Sequence, residues 1–148
     1  MYTLIFILVL LTGCKLNNNT VGNESTTENN EENTDYNMSC LDTANCWDIY
    51  YDTNTSISGF QFGINGVIIT GATGGISAQS GFSVNTSTTT VLGFSFSGDI
   101  IPGGGGVLTQ IEYAGNINNA CIVDLILSDP SGKAINTEII NCQTIKEQ

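Results

Sequence analysis

Past residue 40 the chain settles into short runs in which apolar and polar residues alternate. Trp47, Ile49 and Tyr51 share one side of a run that puts Asp48 and Tyr50 on the other. Phe60, Phe62 and Ile64 alternate with Gln61 and Gly63, and Leu92, Phe94 and Phe96 with Gly93 and Ser95. Val107, Thr109, Ile111 and Tyr113 oppose Leu108, Gln110 and Glu112. Further strands are expected at Val67 to Thr70, Gly81 to Val84, Cys121 to Leu127 and Ala134 to Ile140. A two-residue period broken every 8 to 12 residues, roughly, by Gly, Asn, Ser and Thr predicts an antiparallel β-sandwich. No window carries a helical apolar stripe. Residues 40–148 suffice for one two-sheet core.

The chain before residue 40 obeys other rules. Leu4 to Leu11 is uniformly apolar and is followed by Thr12-Gly13-Cys14. The run is too short for a bilayer, which takes about 20 residues, and suits the apolar region of a signal peptide. Leu11-Thr12-Gly13-Cys14 resembles the lipobox of bacterial lipoproteins, although Met1-Tyr2-Thr3 lacks the usual Lys or Arg. The resemblance implies removal of residues 1–13 and attachment of lipid to Cys14, which anchors the chain in a membrane. Lys15, where an Asp would favour the inner membrane, implies the outer membrane or cell surface. Residues 14–39, rich in Asn, Thr and Glu, bury too little apolar surface to offset their ordering entropy. They read as a disordered tether with a coil span of about 25–30 Å.

Charge narrows the function classes. The net charge is −11, with three Lys, no Arg and no His. No basic patch is available to displace counterions from phosphates, so a nucleic-acid partner is not expected. Absence of His removes the commonest general base and metal ligand. Besides Cys14 the chain has Cys40, Cys46, Cys121 and Cys142, an even set that in an exported chain reads as disulfides. Of three pairings, Cys40–Cys46 and Cys121–Cys142 are favoured. The second pair flanks an expected hairpin turning at Asp129-Pro130-Ser131-Gly132.

Two glycine-rich segments imitate nucleotide loops. Thr70-Gly71-Ala72-Thr73-Gly74-Gly75-Ile76, after Val67-Ile68-Ile69, resembles the cofactor loop of short-chain dehydrogenases. That loop works by starting a helix aimed at a pyrophosphate. Ser77 to Val84 are poor helix formers, no βαβ unit follows, and the segment reads as a turn. Pro102 to Gly106 lacks the Lys-Ser/Thr of a phosphate loop and reads as a flexible connection.

Four segments in order carry a further resemblance: Ile57 to Phe62, Val91 to Gly98, Gly106 to Ile111 and Leu125 to Ile135. Together, over residues 46–141, they look like a cohesin domain. The resemblance implies an all-β, jelly-roll sandwich of about nine strands. It also implies a dockerin-like protein as partner, or a polysaccharide as for related modules. The domain stands alone behind its anchor rather than in a scaffold of repeats.

Candidate sites are few. Asp48, Asp52, Asn54 and Ser56 supply oxygen ligands of the kind calcium prefers, near one turn. A loop from Asp52 has Ile57 at position six and Gly63 at position twelve, which excludes an EF-hand, and the group reads first as a polar turn. Trp47, Tyr50, Tyr51 and Tyr113 could stack on sugars, but aromatic residues more often fill a sandwich core. Tyr50, facing away from Trp47 and Tyr51, is the candidate for exposure. No nucleophile–base pair is visible. The sequence leads to a non-catalytic, lipid-anchored module that binds a protein, with no cofactor beyond a structural calcium. A polysaccharide-binding module and a structural envelope or particle-surface protein are the alternatives.

Overall fold

The computed structural model describes residues 45–148. The expected signal peptide, Cys14, the tether and Cys40 lie outside the described residues. Among those described, nine strands and one short α-helix follow in the order β1 (Cys46–Thr53), β2 (Gly59–Asn65), β3 (Val67–Thr73), α1 (Gly75–Gln79), β4 (Ser83–Thr86), β5 (Thr90–Phe94), β6 (Gly104–Gly115), β7 (Cys121–Ser128), β8 (Thr137–Ile140) and β9 (Thr144–Glu147), with a 3-10 turn at Ile117–Asn119 between β6 and β7. They form two sheets, ordered β3-β6-β1-β9-β8 and β4-β5-β2-β7. The fold is an all-β sandwich.

The alternation read from the sequence builds most of the core. On β6 it fails, because Leu108 and Ile111, expected on opposite sides, are both buried where the register with β1 skips Leu108 between the pairs Ile49–Thr109 and Tyr50–Val107. Ile49 and Tyr51 of β1, Val67 and Ile69 of β3, Leu108 and Ile111 of β6 and Ile145 of β9 are buried from one sheet. Phe60, Phe62, Ile64, Val91, Ile122 and Leu127 are buried from the other. Phe60 stacks on Phe62 and on Phe82, with ring centroids 6.0 and 6.1 Å apart. Each such side chain contributes about 1.5–3 kcal/mol when fully buried. Ile57 and Ile101 exchange both backbone hydrogen bonds at 2.8 Å between the β1–β2 and β5–β6 connections.

Three details correct the expectations. The sandwich is not wholly antiparallel: β1 pairs with β9 in parallel, Tyr50 to Thr144 through Asp52 to Lys146. The glycines after Pro102 are not a loose connection, since Gly104, Gly105 and Gly106 sit in β6 opposite Thr53, Asp52 and Tyr51. One turn of helix, α1, follows Gly74 and begins at Gly75, both at positive φ. It survives because Ser77 is buried with its hydroxyl donating to the Gly74 carbonyl and Ile76 packs on the core. The chain then enters β4 of the opposite sheet, so no βαβ unit forms.

Two further strands shift. The expected strand at Gly81 to Val84 runs from Ser83 to Thr86, because Gly81 is in a left-handed conformation and Phe82 turns into the core. The expected strand at Ala134 to Ile140 is split. Ala134 bridges Ser128 beside β7, and only Thr137–Ile140 forms β8, in the other sheet.

Two ties hold the β8–β9 hairpin to the rest of the sandwich. Cys121 and Cys142 form a disulfide with Cα atoms 4.3 Å apart. The pairing agrees with the expectation, but the geometry behind it differs. Cys142 sits in the three-residue β8–β9 turn, Asn141 and Cys142 both at positive φ, and not on a strand opposite Cys121. The bond therefore joins β7 of one sheet to the hairpin of the other. Its 21-residue separation corresponds to about 3 kcal/mol by the loop-entropy relation. Cys46 is disulfide-bonded as well; its favoured partner, Cys40, lies outside the described residues.

The second tie is Glu147. Its carboxylate accepts hydrogen bonds from the Asn54 and Thr55 backbone N–H groups at 2.6 and 2.9 Å and from the Thr55 hydroxyl at 2.6 Å. These donors, the Thr55 hydroxyl first, hold its pKa below the usual carboxylate range. A depressed folded-state pKa gives stability that is present above the unfolded value and is lost as pH falls through the folded one. The melting-temperature difference between the natural chain and Glu147→Gln should be constant above about pH 5 and shrink below about pH 4.5. Asp129, also depressed by its Ser131 and Lys133 hydrogen bonds, titrates in both proteins and cancels from that difference. A difference unchanged down to pH 3 would remove the Glu147 tie from the account.

Candidate functional site

The outer face of the four-stranded sheet is where the chain departs most from hydrophobic-in, polar-out. On β5 the buried positions are Val91 and Gly93, so Leu92 and Phe94 point outward. The cause lies on β2. Phe60 is paired with Gly93, and a Cβ built on Gly93 would stand 2.1 Å from Phe60 Cζ. The ring occupies the volume that a side chain at position 93 would need. The alternation Leu92, Phe94, Phe96 is real, but it faces solvent.

On β7 a bulge sets the outward residues. Ile126 is in register with Gln61 and Val123 with Gly63, so Asp124 and Leu125 together oppose Phe62. Asp124 takes φ 50°, a left-handed conformation uncommon for a residue with a side chain. The extra residue reverses the parity of the strand. Ile122 and Leu127, five apart, are thereby both buried, and Val123 and Ile126 both face out. Regular alternation would have put each pair on opposite faces.

These two devices assemble an apolar surface. Leu92, Gln61 and Ile126 form one row across β5, β2 and β7, and Phe94, Gly59 and Ser128 form the next. Leu92, Ile126 and Phe96 are 40 %, 55 % and 83 % exposed. Phe96 meets Phe94 edge-on with centroids 4.7 Å apart and planes at 73°. Between the β5 and β7 ridges the central strand offers only Gly59, Gln61 and Gly63, which leaves a shallow groove of about 280 Å³. Its Ser128 end is fixed by the Ser58 hydroxyl, which donates to the Asp129 carbonyl at 2.6 Å, and by the Ser128 hydroxyl, which donates to the Gly59 carbonyl at 3.3 Å. Contiguous exposed apolar surface of this kind marks interaction sites.

No charged residue occurs on β2, β4 or β5. The described residues carry eight side-chain carboxylates against Lys133 and Lys146; Asp124 on β7 and Asp129 just after it lie at this sheet, whereas Asp48, Asp52, Glu112, Glu138 and Glu147 belong to strands of the other. The face thus sits in a negative field. On β2, β4 and β5 its groups are hydrocarbon, the carboxamides of Gln61 and Asn85, and hydroxyls, which suit non-covalent contact.

The residues singled out from sequence go elsewhere. Tyr50 is 38 % exposed on the outer face of the five-stranded sheet, while Tyr51 is buried, its hydroxyl pKa raised by desolvation, and Trp47 and Tyr113 pack against the core. Asp48 accepts from the Gln110 carboxamide at 3.0 Å, Asp52 lies in register with Gly105 and Lys146, and Asn54 gives its backbone N–H to Glu147. Asp48 and Asp52 are about 13 Å apart along β1 at strand rise, so the calcium candidates are not brought together. No group of three or more His, Cys, Asp or Glu gathers among the described residues. Comparison with family models, with curated proteins and with solved structures found no match.

The bulge gives a conformational test. Asp124→Gly should leave stability within about 1 kcal/mol of the natural chain, because glycine enters the left-handed region freely. Asp124→Val should cost about 1–3 kcal/mol in urea denaturation. Equal tolerance of both would show that position 124 is not where β7 changes parity.

Proposed function

We propose that the chain is an exported, lipid-anchored, non-catalytic module that captures a protein partner on the outer face of its four-stranded sheet. The observation that carries the proposal is the outward row of Leu92, Phe94, Phe96 and Ile126. A fold stabilised by burying apolar groups here exposes large ones on one continuous face, and places a glycine inside beneath Phe60.

The surroundings select among occupants. A second copy would bring two strongly acidic domains together at close range, against like-charge repulsion. The chain's own residues 15–39 are mostly Asn, Thr and Glu and offer few apolar groups to cover the face. An anionic lipid surface is repelled by the net charge of −11. What fits is a different protein that presents an apolar strip bordered by Lys or Arg. The two-strand spacing between the β5 and β7 ridges, about 9.6 Å, is the width of a helix lying along β2. The cohesin resemblance favours the same class of partner, a dockerin-like protein, and nine strands in two sheets agree with it. The lipobox resemblance supplies the location, with Cys14 as anchor and the outer membrane or cell surface as address.

The test couples capture to the face. The lipid-free chain from Lys15, immobilised, should retain a protein from the native host's exported fraction. The purified partner should then bind saturably at one to one. Leu92→Glu and Ile126→Lys should each weaken that binding by about tenfold or more, as expected for central apolar contacts, with unchanged melting temperatures. Binding that ignores both substitutions, or retention only by lipid vesicles, would remove the sheet face as the site.

A further inference from the structure

A second feature lies outside this face. An open cleft of about 690 Å³ runs between the end of α1 (Gln79, Ser80, Gly81) and the β5–β6 connection (Gly98, Asp99, Ile100). We propose that this cleft is a subsite for a neutral saccharide, with Asp99 and Gln79 as its hydrogen-bonding residues and Ile100 as its apolar flank.

The Asp99 carboxylate is positioned in advance. The Ser95 hydroxyl donates to Asp99 Oδ2 at 2.8 Å, and its oxygen accepts the Ser97 and Asp99 backbone N–H groups at 3.2 and 3.1 Å. This local network fixes the loop, so little ordering entropy remains to be lost on binding. Gly81 faces the carboxylate across the cleft: a Cβ there would stand 3.0 Å from Asp99 Oδ2. Absence of that side chain leaves the carboxylate accessible. Asp99 Oδ1 and the Gln79 carboxamide make no hydrogen bond to described residues.

The lining selects the ligand class. No cationic side chain lines the cleft, which excludes phosphate and other anions. One carboxylate with no second acid beside it is too few ligands for a divalent cation. A carboxylate that accepts from hydroxyls, a carboxamide that both donates and accepts, the Ser80 hydroxyl and an aliphatic side chain 44 % exposed match a sugar ring with its hydroxyl edge and apolar C–H face.

The experiment uses the purified full chain on an array of neutral oligosaccharides beside uronic-acid oligomers, followed by calorimetric titration with the best neutral binder. The expected result is a neutral binder that Asp99→Ala and Gln79→Ala each weaken about tenfold and that Leu92→Glu leaves unchanged. Asp99→Asn keeps an acceptor for Ser95 and should preserve the fold while weakening binding, which separates a lost contact from a lost loop. The proposal is overturned if no neutral saccharide binds, if uronic-acid oligomers bind equally, or if the affinity ignores both cleft substitutions. Loss with Leu92→Glu alone overturns it too, by placing the sugar on the sheet face. Failure here leaves protein capture by the sheet face standing, and failure there leaves the cleft standing.

Discussion

The placement of Phe60 over Gly93 decides which way the four-stranded sheet faces. A strand with a strict two-residue period has two possible orientations, and a one-residue slip exchanges its faces. Leu92, Phe94 and Phe96 would satisfy a core as well as Val91 does by hydrophobicity alone. Phe60 settles the matter by volume, since its ring fills the space in front of position 93 and only glycine leaves that space open. Stacking with Phe62 and Phe82 fixes the ring in turn, so three aromatic residues on β2 and before β4 determine what β5 displays. Gly93→Ala should therefore destabilise by about 1–3 kcal/mol, the range for overpacking a filled core, although both residues are small and apolar. A neutral result in urea denaturation would mean that Phe60 can move aside and does not set the orientation.

The bulge on β7 complements this constraint on the opposite flank of β2. Without it, burial of Ile122 would force Leu127 outward. With it, both ends of β7 serve the core, and Val123 and Ile126 both join the exposed face. The left-handed Asp124 costs conformational energy, and burial of the second apolar residue more than offsets it. The same bulge interrupts the outer strand of the sheet. The backbone bonds from Ile122 to Cys142 and from Ile135 to Leu127 cover its two ends. An edge that would otherwise recruit other strands is thereby closed, and the apolar surface is left on the face of the sheet, not along its rim.

Much of the architecture was legible because it rests on local pattern. The alternation over Trp47–Tyr51 and Phe60–Ile64 and the turn at Asp129-Pro130-Ser131-Gly132 follow from period and turn chemistry, whereas the Cys121–Cys142 bond, though expected, joins β7 to the β8–β9 turn and not two facing strands. What was not legible depends on contacts distant in sequence. The parallel pairing of β1 with β9 joins residues about a hundred positions apart, and no local signal marks it. The strand character of Gly104 to Gly106 comes from β1 beside it, against the propensity of glycine. The candidate face was missed for the same reason. Period gives two sides but not which is inner, and the one clue was that β5 alternates large apolar residues with Gly and Ser. Tyr50, by contrast, was legible as exposed because its neighbours Ile49 and Tyr51 both had to be buried.

Charge bears on what the exposed apolar face can meet. Patches of this kind risk self-association. The net negative charge of the domain opposes approach of another copy at long range, while a partner with the opposite charge would be drawn in by the same field. Salt then separates the two contributions: screening should slow capture of a basic partner while leaving the dissociation rate, set by Leu92, Phe94, Phe96 and Ile126, nearly unchanged. On the proposed binding surface, selectivity would come from the negative charge of the domain and adhesion from the hydrocarbon at the centre of the face.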